Sequence, residues 1–266
     1  MSDMPLEGLD TTVPHPARMH NYVLGGKDHF PADREAAEKR LAVLPDWRTS
    51  ARENRWFLGR AVTYLTKEAG LRQFLDIGPG LPAAGATHEV AQAIAPETRV
   101  AYADNDPMVI AHARALLTST RAGACAYIHA DVRDPRRILD AASGLLDLDQ
   151  PTGLLLLAVM HFVQASEDPA GILRNLLDAL APGSYLVLSH LTRDHDPARV
   201  TKSMRVGSDV GIPVRSVTIE EFEDYFTGLE LLPPGPVLVS DWRRDIPGPK
   251  PLPSEINFYG AVARKP

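Results

Sequence analysis

Apolar residues along this chain recur with two different periods, and the change falls near residue 70. Before it the spacing is helical. Ala17-Arg18-Met19-His20-Asn21-Tyr22-Val23-Leu24 reads as a short helix that stops at Gly25-Gly26. A second helix is expected from Pro31 through Arg40, broken at Pro45. A third runs from Trp47 to Ala69, where Trp56, Leu58, Val62 and Leu65 recur at roughly three- and four-residue spacing. Residues 1 to about 16 hold three prolines and no such periodicity, and they read as a loose or extended arm.

After Leu71 short apolar runs alternate with helical stretches, the pattern of successive βαβ units around a parallel sheet. Strands are expected at 73–77, 99–104, 125–129, 153–159 and 184–190. Helices are expected at 87–95, from Pro107 to about Ser119, at 135–142 and at 169–180, with Thr87 as an N-cap. The run from Gly153 is nearly all leucine, as suits a central strand covered on both faces. Regularity fades at 192–217, a polar stretch with Gly207, Gly211 and Pro213. A helix at 219–226, a strand at 229–232, an extended segment at 237–240, a proline-rich loop at 247–253 and a final strand at 256–263 complete the expectation. No internal repeat or domain-scale linker interrupts the chain.

Composition narrows the class. The 266 residues are 44% hydrophobic and 23% charged, as in ordinary globular proteins. A formal net charge of −6 argues against a nucleic-acid partner, which needs a basic face. The first residues lack a basic start and an apolar core, and the longest apolar run is too short to span a bilayer. Cys125 is the one cysteine and reads as a small core residue. A cytoplasmic protein with no membrane partner is the expectation, and its oligomeric state is left open. No Cys/His cluster has zinc-ligand spacing, so no metal is expected.

The candidate chemistry gathers at strand ends. Phe74-Leu75-Asp76-Ile77-Gly78-Pro79-Gly80 is a buried strand entering an acid and then a two-glycine turn, which lets backbone approach a ligand. The next strand also ends in an acid, Asp104. Two adjacent parallel strands ending this way make a nucleoside site.

In order and spacing these segments resemble the class I S-adenosylmethionine-dependent methyltransferases. Leu75-Asp76-Ile77-Gly78-Pro79-Gly80, Tyr102-Ala103-Asp104-Asn105-Asp106-Pro107, Ile128-His129-Ala130-Asp131-Val132 and Ala181-Pro182-Gly183-Ser184 look like four of that superfamily's motifs, and the closing Phe258-Tyr259-Gly260-Ala261 looks like its last strand. Residues 17–28, with Gly80-Leu81-Pro82 and Thr87-His88-Glu89-Val90-Ala91-Gln92, are similar to an actinobacterial S-adenosyl methyltransferase family long catalogued as a domain of unknown function.

The resemblance implies a Rossmann-like α/β fold: a mostly parallel seven-stranded sheet with an antiparallel last strand, plus an N-terminal helical extension. Residues 1–70 would form that extension or lid. Residues 71–266 would form the methyltransferase domain, with 192–228 as a substrate-side insertion. The cofactor implied is S-adenosyl-L-methionine. Asp76, Gly78 and Gly80 would shape the turn under its methionine part, Asp104 would accept its ribose hydroxyls, and Asn105, Asp131 and Val132 would meet the adenine. Ala158, at the fourth strand's end, is counted with these contacts. The segment 22–28 reads either as a plain helix stop or as a lid, in which Tyr22, Gly26 and Lys27 would reach the cofactor.

The acceptor is expected beyond the fourth and fifth strands, where His161 and His190 are the candidate bases. Each is equally readable as a structural histidine. The Asn/Asp-Pro-Pro-Tyr box of many amino-methylating enzymes is missing at 158–161, which favours O-methylation of a small molecule. Two other readings stay open: a catalytically silent S-adenosylmethionine-binding regulator, and a nicotinamide-dependent enzyme. The second is weakened because the third glycine of a dinucleotide fingerprint is absent and Pro82 stands in that turn.

Overall fold

The computed structural model describes residues 9–116, 118–245 and 248–266. Residues 1–8 of the expected arm and the Pro247 end of the proline-rich loop lie outside them.

Three helices precede the sheet: α1 (Pro16–Val23), α2 (Pro31–Val43) and α3 (Trp47–Lys67). The alternating part then runs β1 (Gln73–Ile77), α4 (Thr87–Ile94), β2 (Arg99–Asp104), α5 (Pro107–Leu116), β3 (Ala124–His129), α6 (Pro135–Ala142), β4 (Gly153–Leu157), α7 (Pro169–Asp178) and β5 (Tyr185–Leu191). The last part holds α8 (Pro197–Asp209), α9 (Ile219–Glu223), β6 (Glu230–Leu231), β7 (Val237–Leu238) and β8 (Phe258–Arg264). The sheet order is β3-β2-β1-β4-β5-β8-β6, with β7 also pairing β8. The first five strands pair in parallel, and β8 runs antiparallel against β5. This is the Rossmann-like arrangement expected, with β7 as an eighth, two-residue strand.

The order reverses between β1 and β4. A crevice opens there because the connections from these two strands leave to opposite sides. β1 and β4 are buried along their whole length, so their C-terminal ends are held rigidly where that crevice lies.

Four local expectations change. The stretch 192–217 is not irregular: it contains α8, entered by Asp196, whose carboxylate accepts from the Arg199 N–H at 3.1 Å, with Pro197 at the first turn. Thr87 is the first residue of α4 rather than its cap. β4 ends at Leu157, because Ala158 adopts a left-handed φ of 53° and Met160–Phe162 form a single 3-10 turn. Trp56 faces solvent, and the buried face of α3 is carried by Phe57, Leu58, Ala61, Val62 and Leu65. Among the described residues no helix is long and apolar enough to cross a membrane.

Candidate functional site

The crevice is a cavity of about 460 Å³, within the range of small-molecule sites. Its floor is made by the C-terminal ends of β1 to β4. Asp76, Gly78, Gly80, Asp104, Asn105, Asp131, Val132 and Ala158 all line it. Its walls come from the N-terminal extension, chiefly residues 14–17, Met19 and His20, with Arg40, Leu44, Trp47, Asn54, Arg55 and Leu58. Gly211, Ile212 and Pro213, beyond α8, close another side.

The glycine turn has a steric reason. Gly78 sits at φ +73°, and a Cβ there would stand 2.7 Å from Val159 Cγ2. The close approach lets the Gly78 N–H donate to Ala103 O at 2.8 Å, tying the turn to β2. Gly80 is also left-handed, at φ +70°, but has open space around it. Its N–H donates to Asp104 Oδ2 at 3.2 Å.

The three strand-end acids differ in charge. Asp76 is buried and accepts from the Thr87 hydroxyl at 2.7 Å. Burial raises its carboxyl to about 6, the Thr87 bond and Arg55 opposing and Asp104 adding. Asp104 is buried as well and accepts from the Asp106 N–H at 3.0 Å. Burial raises it to about 6, against the pull of the Asp106 N–H, His15 and the Gly80 N–H. Asp131 is half-exposed and accepts from Asn105 Nδ2 at 2.7 Å and the Arg133 N–H at 2.9 Å. Burial pushes it up, but those bonds and the Arg133 charge outweigh it and hold its carboxyl below the usual range. Two of the three acids thus face the cavity short of partners for a negative charge, an acceptor set suited to ligand hydroxyls and to a cation.

Asp106 takes the capping role next door. It accepts from the Met108 N–H at 2.9 Å, which frees Asp104 to face the cavity. Asp106 also meets the extension: His15 Nδ1 is 3.0 Å and Arg18 Nε 3.3 Å from its Oδ2. Asp33 of α2 accepts from the His15 and Phe30 N–H groups, each at 2.8 Å. The segment at 14–20 is therefore strapped across the cavity beside the β2 carboxylate.

Tyr22, Gly26 and Lys27 do not line the cavity. The Tyr22 hydroxyl donates to Glu38 Oε1 at 2.8 Å, and Lys27 is exposed. A Cβ on Gly26 would stand 2.4 Å from Asn21 Nδ2, so its small size serves a tight return of the chain over Asn21, whose Oδ1 accepts from the Asp28 N–H at 3.0 Å. This is the helix-stop reading of the Gly25-Gly26 pair.

The two candidate bases part company. His161 lines the cavity in its 3-10 turn, its ring centroid 4.2 Å from that of Phe162 and 5.8 Å from that of Phe258. Burial first, then His190, Arg40, His20 and Arg215, push it well below the ordinary imidazole value. Its Nδ1 has no hydrogen-bond partner among the described residues. His190 lies behind it, fully buried and outside the cavity lining. Its Nδ1 faces the Leu191 carbonyl at 2.9 Å and so carries the hydrogen. Burial pushes His190 down to about 3.

Sequence reading missed the wall residues Arg40, Asn54 and Arg55. A signal existed. Asn54 interrupts the apolar stripe of α3 between Ala51 and Leu58, and Arg40 sits on the buried face of α2 with Ala36 and Ala37. A polar group on a core-facing stripe needs a partner, and here the cavity is what it meets.

A mostly parallel sheet with an antiparallel final strand, and with acids from three adjacent strands around a glycine turn, defines a Rossmann-like methyltransferase. The family model described as S-adenosyl methyltransferase matches residues 2–266, and the chain belongs to that family. It is an enzyme that uses S-adenosylmethionine. The chain is 44% identical to a DUF574 family protein from Streptomyces avermitilis MA-4680, over 97% of this chain and 99% of that one, with a TM-score of 0.93. It is 39% identical to a candidate methyltransferase from Thermobifida fusca YX, over 99% of each chain, with a TM-score of 0.90. The fold alone is shared with the N-methyltransferase NodS from Bradyrhizobium japonicum WM9, in complex with S-adenosyl-L-homocysteine: 15% identity, 94% and 99% coverage, TM-score 0.50. No curated protein matches the chain.

Proposed function

We propose that the enzyme methylates a small-molecule acceptor on oxygen, with both substrates sharing the one cavity. The observation that supports this most is the division of side chains along the cavity. The carboxylates Asp76, Asp104 and Asp131 lie at the ends of β1, β2 and β3, while His161, Phe162 and Phe258 lie beyond β4 and on β8. Bound S-adenosylmethionine supplies a methyl group already activated on a positive sulfur. Asp104 holds the ribose, and Asn105, Asp131 and the Val132 backbone frame the adenine. The turn at Gly78 and Gly80 lies under the methionine part, and Asp76 faces its positive charge. Arg55, whose Nε is buried without a partner, is placed over the same turn by its bonds to the Ala83 and Ala84 carbonyls, where a ligand carboxylate would meet it. The strap at 14–20 and α3 exclude water from above, the role assigned to the N-terminal extension as a lid.

His161 is the group nearest the expected acceptor. It is neutral near pH 7, so an unprotonated ring nitrogen can accept a hydrogen bond and orient a hydroxyl. Its depressed basicity makes positioning its larger contribution. Positioning and exclusion of water carry the rest of the rate enhancement.

Isothermal titration with S-adenosylhomocysteine tests the cofactor half. The wild type binds one equivalent, and Asp104→Ala loses at least about tenfold in affinity. Unchanged affinity in Asp104→Ala removes the ribose assignment. Transfer of a labelled methyl group into an actinobacterial metabolite extract tests the acceptor half: label on a small molecule in an acid-stable oxygen ether or an alkali-labile ester supports it, and label on amine nitrogen contradicts it.

A further inference from the structure

Among the described residues Arg18, Arg40 and Arg60 are buried, and of these Arg40 alone lacks an acid nearby. Arg18 lies against Asp33 and Asp106, and Arg244 bonds Glu53. Arg60 donates to the Trp242 and Val239 carbonyls at 2.8 and 2.6 Å and has acidic neighbours. Arg40 is 6% exposed, yet no carboxylate among the described residues pairs with it. Its Nε donates to Ser203 Oγ at 3.3 Å, and its guanidinium carbon lies 4.5 Å from the Trp47 ring centroid. Its Nη1 and Nη2 have no hydrogen bond among the described residues, and the residue lines the cavity. Burial alone moves it, down to about 10, with no acid opposing the shift.

The surroundings repeat this sign. The charged or ionisable groups that His161 senses are His190, Arg40, His20 and Arg215, all of one polarity. Of the acids lining the cavity, Asp76, Asp104 and Asp131 stand under β1, β2 and β3, and Glu167 is paired with Arg133. An uncompensated buried cation is costly and persists where a ligand completes it. The planar fork of a guanidinium fits an oxyanion through two parallel hydrogen bonds, and the Trp47 face holds the fork in one plane.

We infer that Arg40 is the acceptor-recognition residue and that the acceptor carries an oxyanion, a carboxylate or a phosphate, docked on its Nη1 and Nη2. The inference rests on the methyltransferase reading of the cavity and adds the chemical class of its second substrate. Ser203 fixes the guanidinium from behind and Trp47 from one face, so the open edge is the one turned into the cavity. Leu44, Phe162 and Ile212 supply an apolar slot for the body of that molecule.

The test uses the full-length enzyme saturated with S-adenosylhomocysteine and titrated with benzoate, phenyl phosphate and benzamide, followed by ligand-observed NMR. Benzoate or phenyl phosphate is expected to bind at least about tenfold more tightly than benzamide, and that preference is expected to vanish in Arg40→Met and survive in part in Arg40→Lys. The stronger of the two anions identifies the oxyanion. S-adenosylhomocysteine affinity, measured in parallel, stays within about twofold in both variants, which also reports that they are folded. Equal binding of benzamide, no binding by any probe, or full anion binding in Arg40→Met overturns the inference. So does a tenfold loss of S-adenosylhomocysteine in Arg40→Met, which would give Arg40 to the cofactor's own carboxylate. A wild type that fails to bind S-adenosylhomocysteine at all would instead refute the cofactor-site reading beneath it.

Discussion

Alanine at Gly78 should damage both the fold and the cofactor site, and alanine at Gly80 should not do so to the same degree. Both glycines are left-handed, at φ +73° and +70°. An L side chain in that region costs roughly 1–2 kcal/mol. Only Gly78 has a neighbour: its added Cβ would stand 2.7 Å from Val159 Cγ2 and 2.9 Å from Val159 Cβ. Overpacking of that kind adds about 1–3 kcal/mol. Gly78→Ala is therefore expected to cost about 2–5 kcal/mol and Gly80→Ala about 1–2. At about 2–4 °C per kcal/mol for a chain of this size, the melting temperature should fall about 5–15 °C in the first and only a few degrees in the second. The displaced turn also takes the Gly80 N–H away from Asp104, so S-adenosylhomocysteine affinity should drop about tenfold or more in Gly78→Ala. Adding Val159→Ala removes the atom at 2.7 Å but leaves the Cβ at 2.9 Å, and so restores part of the loss. Thermal unfolding and isothermal titration of the four proteins read this out. Equal behaviour of Gly78→Ala and Gly80→Ala refutes the steric argument.

Three further outcomes are expected. Asp76 and Asp104, both raised to about 6 by burial, must be ionised to meet ligand donors and a cation, so S-adenosylhomocysteine affinity should weaken as pH falls through about 6; titration between pH 7.5 and 5 checks this, and a flat profile contradicts it. In the ligand-free protein the same two acids add stability as pH falls from about 6 toward their unfolded values, while His190, depressed to about 3, and His20, depressed to about 4, lose it below about 6.5; His190→Gln should remove part of the acid-side loss seen by thermal unfolding. Arg18→Ala breaks a buried pairing with Asp106 and Asp33 and should cost about 3–5 kcal/mol, whereas Asp46→Ala, which breaks the more exposed pair with Arg199, should cost under about 1.

How much of this could be read from the chain depends on whether the responsible interaction is local. The strands were legible because they are short, mostly apolar runs bounded by turn residues. The acids were legible because each closes such a run. Helix α8 was not, because only Val200, Ser203 and Gly207 are buried on it. Small and polar residues pack there, Gly207 so closely that a Cβ would stand 2.8 Å from Ile212 O, and no apolar stripe marks the helix. Asp196-Pro197 was the available signal. The segment 22–28 was readable as a helix stop or as a lid, whereas the strap at 14–20 was not legible, since its anchors are non-local: His15 and Arg18 reach Asp106 across about ninety residues, and no spacing rule reports that. Arg40 was legible in part: its place beside Ala36 and Ala37 on one face of α2 was a local signal, but its lack of a partner exists only in three dimensions.

The central claim is that one cavity at the β1/β4 switch holds the cofactor against Asp104 and leaves its methyl group facing the His161 and Arg40 end. A crystal structure of the enzyme with S-adenosylhomocysteine tests it most directly. The account predicts ribose hydroxyls at about 2.7 Å from the Asp104 carboxylate, adenine beside Asn105 and Asp131, and the sulfur turned toward His161. A ribose bound away from Asp104, or a sulfur turned from His161, would contradict it.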